Sequence, residues 1–253
     1  MQTHFSKEQF DSNYPDGIEN HFWISARNRI IAQEIRKIAK LDSVVLDVGC
    51  GRGVAVKYLR NDGIDCVGVE PARVRPLAGV GEHIHFGKNV AELSGTERAR
   101  YDIILLLDVI EHIRDPIPLL RGLMKSFPNL AYVIVTVPAR PELWSNYDEF
   151  YGHYRRYTIE MVESLCKQLG VDLAWKGYFF RSLYLPMRIL TTIGIRRSTR
   201  ARPPHGIIKW MHKLFSHILV CEHHVFPRSV PGTSIIACLS SGKCSVPEAG
   251  AGA

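Results

Sequence analysis

Ten residues constrain the fold of this 253-residue chain more than any other stretch: Val44-Val-Leu-Asp-Val-Gly-Cys-Gly-Arg-Gly53. A short, β-branched apolar run ends at Asp47, and a glycine then stands at every second position, Gly49, Gly51 and Gly53. The run is too short for a helix and is bounded by a glycine turn, which predicts a buried parallel strand. Glycines lack a Cβ, so the backbone folds sharply and a ligand lies directly against it. A helix starting near Gly53 would present free N–H groups and a positive dipole end to that ligand.

Spacing decides which ligand. The dinucleotide fingerprint is G-x-G-x-x-G; here the third glycine comes one residue early, and Val54 stands where the fingerprint has Gly. The next strand-like run, Cys66-Val-Gly-Val-Glu70, ends in an acidic residue at the distance needed to pair with ribose hydroxyls. Asp47, then G-x-G-x-G, then Glu70 resembles the class I S-adenosylmethionine (SAM) dependent methyltransferases. That resemblance implies that Asp47 and the loop Gly49-Cys50-Gly51 to Gly53 hold the methionine part of the cofactor and Glu70 the ribose. It also implies an α/β, Rossmann-like seven-stranded sheet of order 3-2-1-4-5-7-6, strand seven antiparallel, with helices on both faces. Relatives carry an acidic residue after strand three to face the adenine. Here the local sequence is Gly87-Lys88-Asn89, with Asn89 as the substitute.

A second match follows the apolar run Tyr101–Leu107: Asp108-Val-Ile-Glu111-His112-Ile-Arg-Asp115-Pro116. This Asp-x-x-Glu-His-x-x-Asp-Pro run is similar to the subfamily of ubiquinone-biosynthesis and natural-product O-methyltransferases. It falls at the carboxyl end of strand four, where an open α/β sheet binds ligands, so Asp108 is a cofactor-pocket residue. Farther on, Trp144 to Thr158 is dense in aromatic and polar groups and reads as an irregular binding-site wall. Its Gly-His153-Tyr-Arg-Arg-Tyr-Thr run resembles the same subfamily, and Thr158 should cap a helix to Leu169.

Methyl transfer is an in-line displacement that positioning alone accelerates greatly. A hydroxyl nucleophile gains further from a base or a metal. Glu111, His112 and His153 are the candidates. They serve as pocket-lining groups, as a base (His112 or His153), or, with Asp108, as ligands of a divalent ion. Asp108, Glu111 and His112 are close enough in sequence for one helical turn to gather them, and small-RNA 2′-O-methyltransferases use a similar cluster. The metal is the least favoured of the three.

Composition bounds the rest. Six scattered cysteines, Cys50, Cys66, Cys166, Cys221, Cys238 and Cys244, form no C-x-x-C pair, which argues against a zinc site or disulfide framework and fits a reducing cytosol. The polar start carries no signal-peptide core. The formal net charge is +7, yet residues 181–228 carry nine Lys and Arg against Glu222 alone, leaving the remainder slightly negative. Confinement of the basic charge to one apolar segment weighs against nucleic-acid binding. That segment predicts two helices, Leu183 to Ile195 and Ile207 to Val220, as an amphipathic hairpin. It meets an anionic membrane at its inner face, covers the substrate, or packs on another subunit.

The expected organisation is a lid helix and SAM-binding core over 1–180, a basic helical insertion over 181–230, a last strand over 231–244 and a disordered tail over 245–253. The lid helix spans Glu19 to Lys40, with Trp23 on the core and Arg27 and Arg29 either solvated or part of the lid. The reading is an enzyme methylating an oxygen of a small-molecule or lipid-like acceptor. The alternatives are an RNA-end methyltransferase and a membrane-associated SAM-binding module without turnover. The sequence sets neither the acceptor nor the oligomeric state.

Overall fold

A computed structural model of the chain describes residues 7–242; the expected tail lies outside them, as does Cys244. Seven strands form one sheet: β1 (Val45–Val48), β2 (Cys66–Glu70), β3 (Ile84–Phe86), β4 (Ile103–Leu107), β5 (Tyr132–Pro138), β6 (Asp172–Phe179) and β7 (Ser234–Ser240). Their order is β3-β2-β1-β4-β5-β7-β6. The first five run parallel, and β7 is antiparallel to both β5 and β6. Every residue of β1, β4 and β7 is buried. This is why these runs read as continuous apolar segments: a sheet covered on both faces has no solvent side to make polar.

Nine helices flank the sheet among the described residues: α1 (Lys7–Asn13), α2 (Phe22–Ile38), α3 (Val54–Asn61), α4 (Gly95–Arg98), α5 (Ile117–Ser126), α6 (Asn146–Phe150), α7 (Ile159–Leu169), α8 (Tyr184–Thr192) and α9 (Gly206–Val225). One apolar layer joins α2 and α3 to one face of the sheet through Ile30, Ile31, Ile35 and Leu59. The other gathers Leu120, Leu123, Phe127 and Val162 of the α5 and α7 side. Thr158 caps α7 as expected, its hydroxyl accepting from Met161 N at 3.3 Å.

Three sequence expectations change. The 144–158 wall is not wholly irregular. Ser145 and Asp148 form a reciprocal capping box that starts α6, so Asp148 is drawn inward and fully buried. The predicted helical hairpin is not one: α9 lies chiefly along α2, and α8 chiefly against the turn Pro141–Leu143. Nor are all nine cations of that segment at the surface, since Arg181 is buried and Arg228 pairs with Glu34 at 3.0 Å.

Candidate active site

The carboxyl ends of the central strands open on a cleft of about 1300 Å³. β1 ends beside it with Asp47, which is 1% exposed and does not itself line the cleft, and the chain then turns through Gly49, Gly51 and Gly53, all at positive φ. Glu70, at the end of β2, reaches across this turn. One carboxylate oxygen accepts from Gly51 N and the other from Ala72 N, both at 2.9 Å. Burial pushes the Glu70 carboxyl up, and the two N–H bonds hold it back.

The glycines do different jobs. At Gly51 a Cβ would meet the ring of Tyr14 at 3.3 Å, so the backbone there faces the cleft beneath one aromatic. At Gly53 a Cβ would lie 2.3 Å from Ile84 Cδ1, so that glycine allows α3 to pack on β3. Cys50 turns its thiol beneath the loop, where a Cβ on Gly68 would approach its Sγ to 2.5 Å. Cys50 and Gly53 therefore build the loop without lining the cleft. Asn89 is also absent from the cleft wall. Its Oδ1 accepts from Ala91 N in a capping box, so the side chain is engaged with its own turn.

Arg27, read as either solvated or part of a lid, is buried. Its guanidinium forms an ion pair with Asp108 and lies 4.9 Å over the Trp23 ring. Asp108 also receives the Thr136 hydroxyl at 3.2 Å, and it sits at φ 55°, a region aspartate tolerates better than most residues. These contacts hold Asp108 away from the histidines. The three groups whose ligand atoms lie within 4.8 Å of one another are Glu111, His112 and His153, without Asp108. They are donors of the type a divalent ion accepts, and the helical turn expected to gather Asp108, Glu111 and His112 does not form: only Ile110–His112 makes a single 3-10 turn.

His153 arrives from the other side of the cleft. Tyr154 N donates to Glu111 O at 2.7 Å, which fastens the two loops together. The His112 and His153 rings meet edge to face, with centroids 4.6 Å apart. His153 Nδ1 donates to Asp148 Oδ1 at 2.9 Å, and Arg156 Nε donates to the same oxygen at 2.9 Å. Burial pushes the Asp148 carboxyl up, but the His153 hydrogen bond and the Arg156 charge outweigh it and hold the group down to about 2. A carboxylate fixed on Nδ1 leaves Nε2 as the lone-pair nitrogen of the neutral ring. Glu111 is the opposite case. Burial, reinforced by Asp108, pushes its carboxyl well up, and its Oε2 has no partner among the described residues.

Sequence reasoning missed Tyr14, Asp148 and the pairing of Arg27. The capping spacing Ser145-x-x-Asp148 was a usable signal for Asp148; Tyr14, in a turn, carried none.

Asp47 supports a prediction. Burial lifts its carboxyl to about 7, against the nearby Arg27 charge and with help from Glu70 and Asp108. The folded state then holds a proton that the unfolded chain releases near pH 4, so stability falls as pH rises from about 4 through about 7. Asp47→Asn removes that ionisation. Its stability relative to the parent protein should rise by on the order of 1–3 kcal/mol between about pH 5 and pH 8. Thermal unfolding across this range checks it, and parallel curves for the two proteins would contradict the raised ionisation of Asp47.

A seven-stranded sheet of order 3-2-1-4-5-7-6 with an antiparallel seventh strand is the Rossmann-like methyltransferase fold, and here it carries the glycine loop and acidic β2 terminus at its ligand-binding edge. Residues 21–174 match the family described as methyltransferase domain, and the chain belongs to that family. It is similar to a ubiquinone biosynthesis O-methyltransferase of Roseobacter denitrificans, 34% identical over 161 residues that cover 55% of this chain and 64% of that protein. Another, from Aliivibrio fischeri, is 32% identical over 88 residues, 32% of this chain and 38% of the relative. The chain thus spans about two fifths to two thirds of the length of these relatives. Among solved structures it is similar in fold to the plantazolicin methyltransferase BpumL in complex with a monoazolic desmethylPZN analog and SAH. The TM-score is 0.54 at 16% identity, covering 92% of this chain and 87% of that one.

Proposed function

We propose that this chain transfers a methyl group from SAM to an oxygen of a small-molecule or lipid-like acceptor. The observation that carries the reading is that one cleft joins the Gly51–Glu70 loop to the Asp148–His153 pair. Its volume, about 1300 Å³, exceeds the roughly 300–1,000 Å³ of an ordinary small-molecule pocket, which leaves room for a cofactor and an acceptor side by side. The O-methyltransferase names of the curated relatives point the same way.

The residues fit the cofactor. The Asp47 carboxyl, buried beside the loop, has an oxygen without a partner among the described residues, which a cofactor amine would satisfy. Glu70 holds the loop through N–H bonds from which it could turn to ribose hydroxyls. Bound there, SAM supplies a methyl carbon made electrophilic by its sulfonium. The chain's own part is to place the acceptor oxygen and take its proton. Nε2 of His153 accepts the hydroxyl proton as the oxygen becomes nucleophilic, and Asp148, ionised throughout, stabilises the resulting imidazolium.

Calorimetric titration tests the reading. The protein should bind SAM and SAH, and Glu70→Ala should weaken that binding by on the order of 1–3 kcal/mol, the cost of losing a buried hydrogen-bonding group. Binding of NAD with no binding of SAM or SAH would refute it.

A further inference from the structure

α9 is two-sided, and its contacts fix which side faces outward. Ser216 Oγ meets Ser25 Oγ at 3.2 Å, and His223 Nε2 meets Glu34 at 3.1 Å, both on α2. The opposite stripe, Ile207, Trp210, Met211, Leu214 and Ile218, follows helical spacing and lies bare, from 80% exposed at Ile207 to 49% at Ile218. α8 and the residue that caps its end add a second stripe, Leu185, Ile189 and Ile193, each more than half exposed. Single exposed apolar residues are ordinary; stripes of this size on two helices consecutive in the chain mark an interaction surface.

The charges around the stripes indicate the occupant. Arg196, Arg200, Arg202, Lys209 and Lys213 are exposed, and none pairs with a carboxylate among the described residues. A second copy docked by two-fold symmetry would bring these cations against their own images, a like-charge contact that disfavours self-association. An anionic bilayer accepts both features: acyl chains take the stripes, and headgroup phosphates take the cations. No helix among the described residues is long and apolar enough to cross a membrane, so the geometry is that of a helix lying in the interface.

We propose that the outer faces of α8 and α9, with the Arg196–Arg202 link, dock this protein on the surface of an anionic lipid bilayer. Leu183, Met187 and Leu190 at α8, and His212 of α9, line the same cleft that holds His153, so the docked face borders the cleft mouth. A lipid-like acceptor then enters at headgroup level without crossing water, a consequence that rests on the methyl-transfer reading.

Docking is tested with the whole chain and no SAM, so its failure is separate from failure of that reading. The protein should co-sediment with vesicles of equimolar phosphatidylcholine and phosphatidylglycerol at low salt, and remain in the supernatant with phosphatidylcholine alone or at high salt. Trp210 fluorescence should shift to the blue on anionic vesicles, and Trp210→Phe should remove that shift. Replacing Arg196, Lys209 and Lys213 together by Gln should weaken binding on the order of tenfold or more. Replacing Ile207, Met211 and Leu214 together by Ser should abolish it; these exposed sites leave the core untouched, and an unchanged melting transition verifies that. No sedimentation with anionic vesicles at low salt overturns the proposal. So does undiminished binding of the Ser variant, or a dimer that the Ser variant dissociates in a protein that ignores vesicles.

Discussion

Replacing His153 by alanine is expected to lower turnover by about 10²- to 10⁴-fold, the range lost with a general base, while SAH affinity changes little. The pairing with Asp148 sharpens this. Asp148→Asn keeps the shape of the side chain but removes the charge that fixes Nδ1–H, so turnover should fall comparably. Arg156 also faces Asp148, at 2.9 Å, so the melting transition of that variant must be measured alongside. Equal activity in both variants would remove the pair from the reaction. A chelator separates the cluster's two chemistries. Activity lost and then restored by magnesium or zinc would assign the Glu111, His112 and His153 donors to an ion, whereas indifference to chelator leaves the base.

Gly51→Val is expected to abolish measurable SAM and SAH binding. Gly51 sits at φ 56°, where a β-branched residue is strained, and its Cβ would already touch Tyr14 at 3.3 Å. The two γ-carbons would then fill the space above the loop. Gly63→Ala is the matched control. Gly63 has φ 81° with nothing within 4 Å of an added Cβ, so alanine there meets backbone strain alone, about 1–2 kcal/mol. That variant should melt lower yet bind SAH normally. If Gly51→Val binds SAH as the parent does, the cofactor does not lie against this backbone.

The fold was legible because its signals are local. Val45–Val48, Ile103–Leu107 and Ser234–Ser240 are buried on both faces, and burial of that kind leaves an uninterrupted apolar run in the sequence. Thr158 announced a helix start through its own hydroxyl, which caps α7. The site was legible in part: Glu111 and His112 are adjacent, and His153 stood in a recognisable run. Their assembly was not. Asp108 looked like a partner of Glu111 from spacing alone, but Arg27, 81 residues away, holds it elsewhere. Asp148 was hidden because its role depends on the α6 cap turning it inward, and Tyr14 because a turn residue shows no periodicity. Cys50 and Asn89 lie in the expected motifs with their side chains engaged away from the cleft. A motif fixes where the backbone passes; which way a side chain turns is decided by neighbours the motif does not contain.

The placing of β7 has a consequence for how the protein is made on the ribosome. β6 pairs with β7 and with no other strand among those described, whereas β5 has β4 on one side and β7 on the other. When residue 230 has just been synthesised, β6 has no neighbour to bond to, and the sheet stops at β5. The roughly fifty residues between β6 and β7, with their bare apolar stripes, must wait in that state. Emergence of Ser234–Ser240 closes the gap from both sides at once, a long-range step of the kind that slows folding and exposes unpaired edges. A chain truncated at residue 230 and freed from the ribosome should therefore stay bound to holding chaperones, and the full-length chain should be released from them.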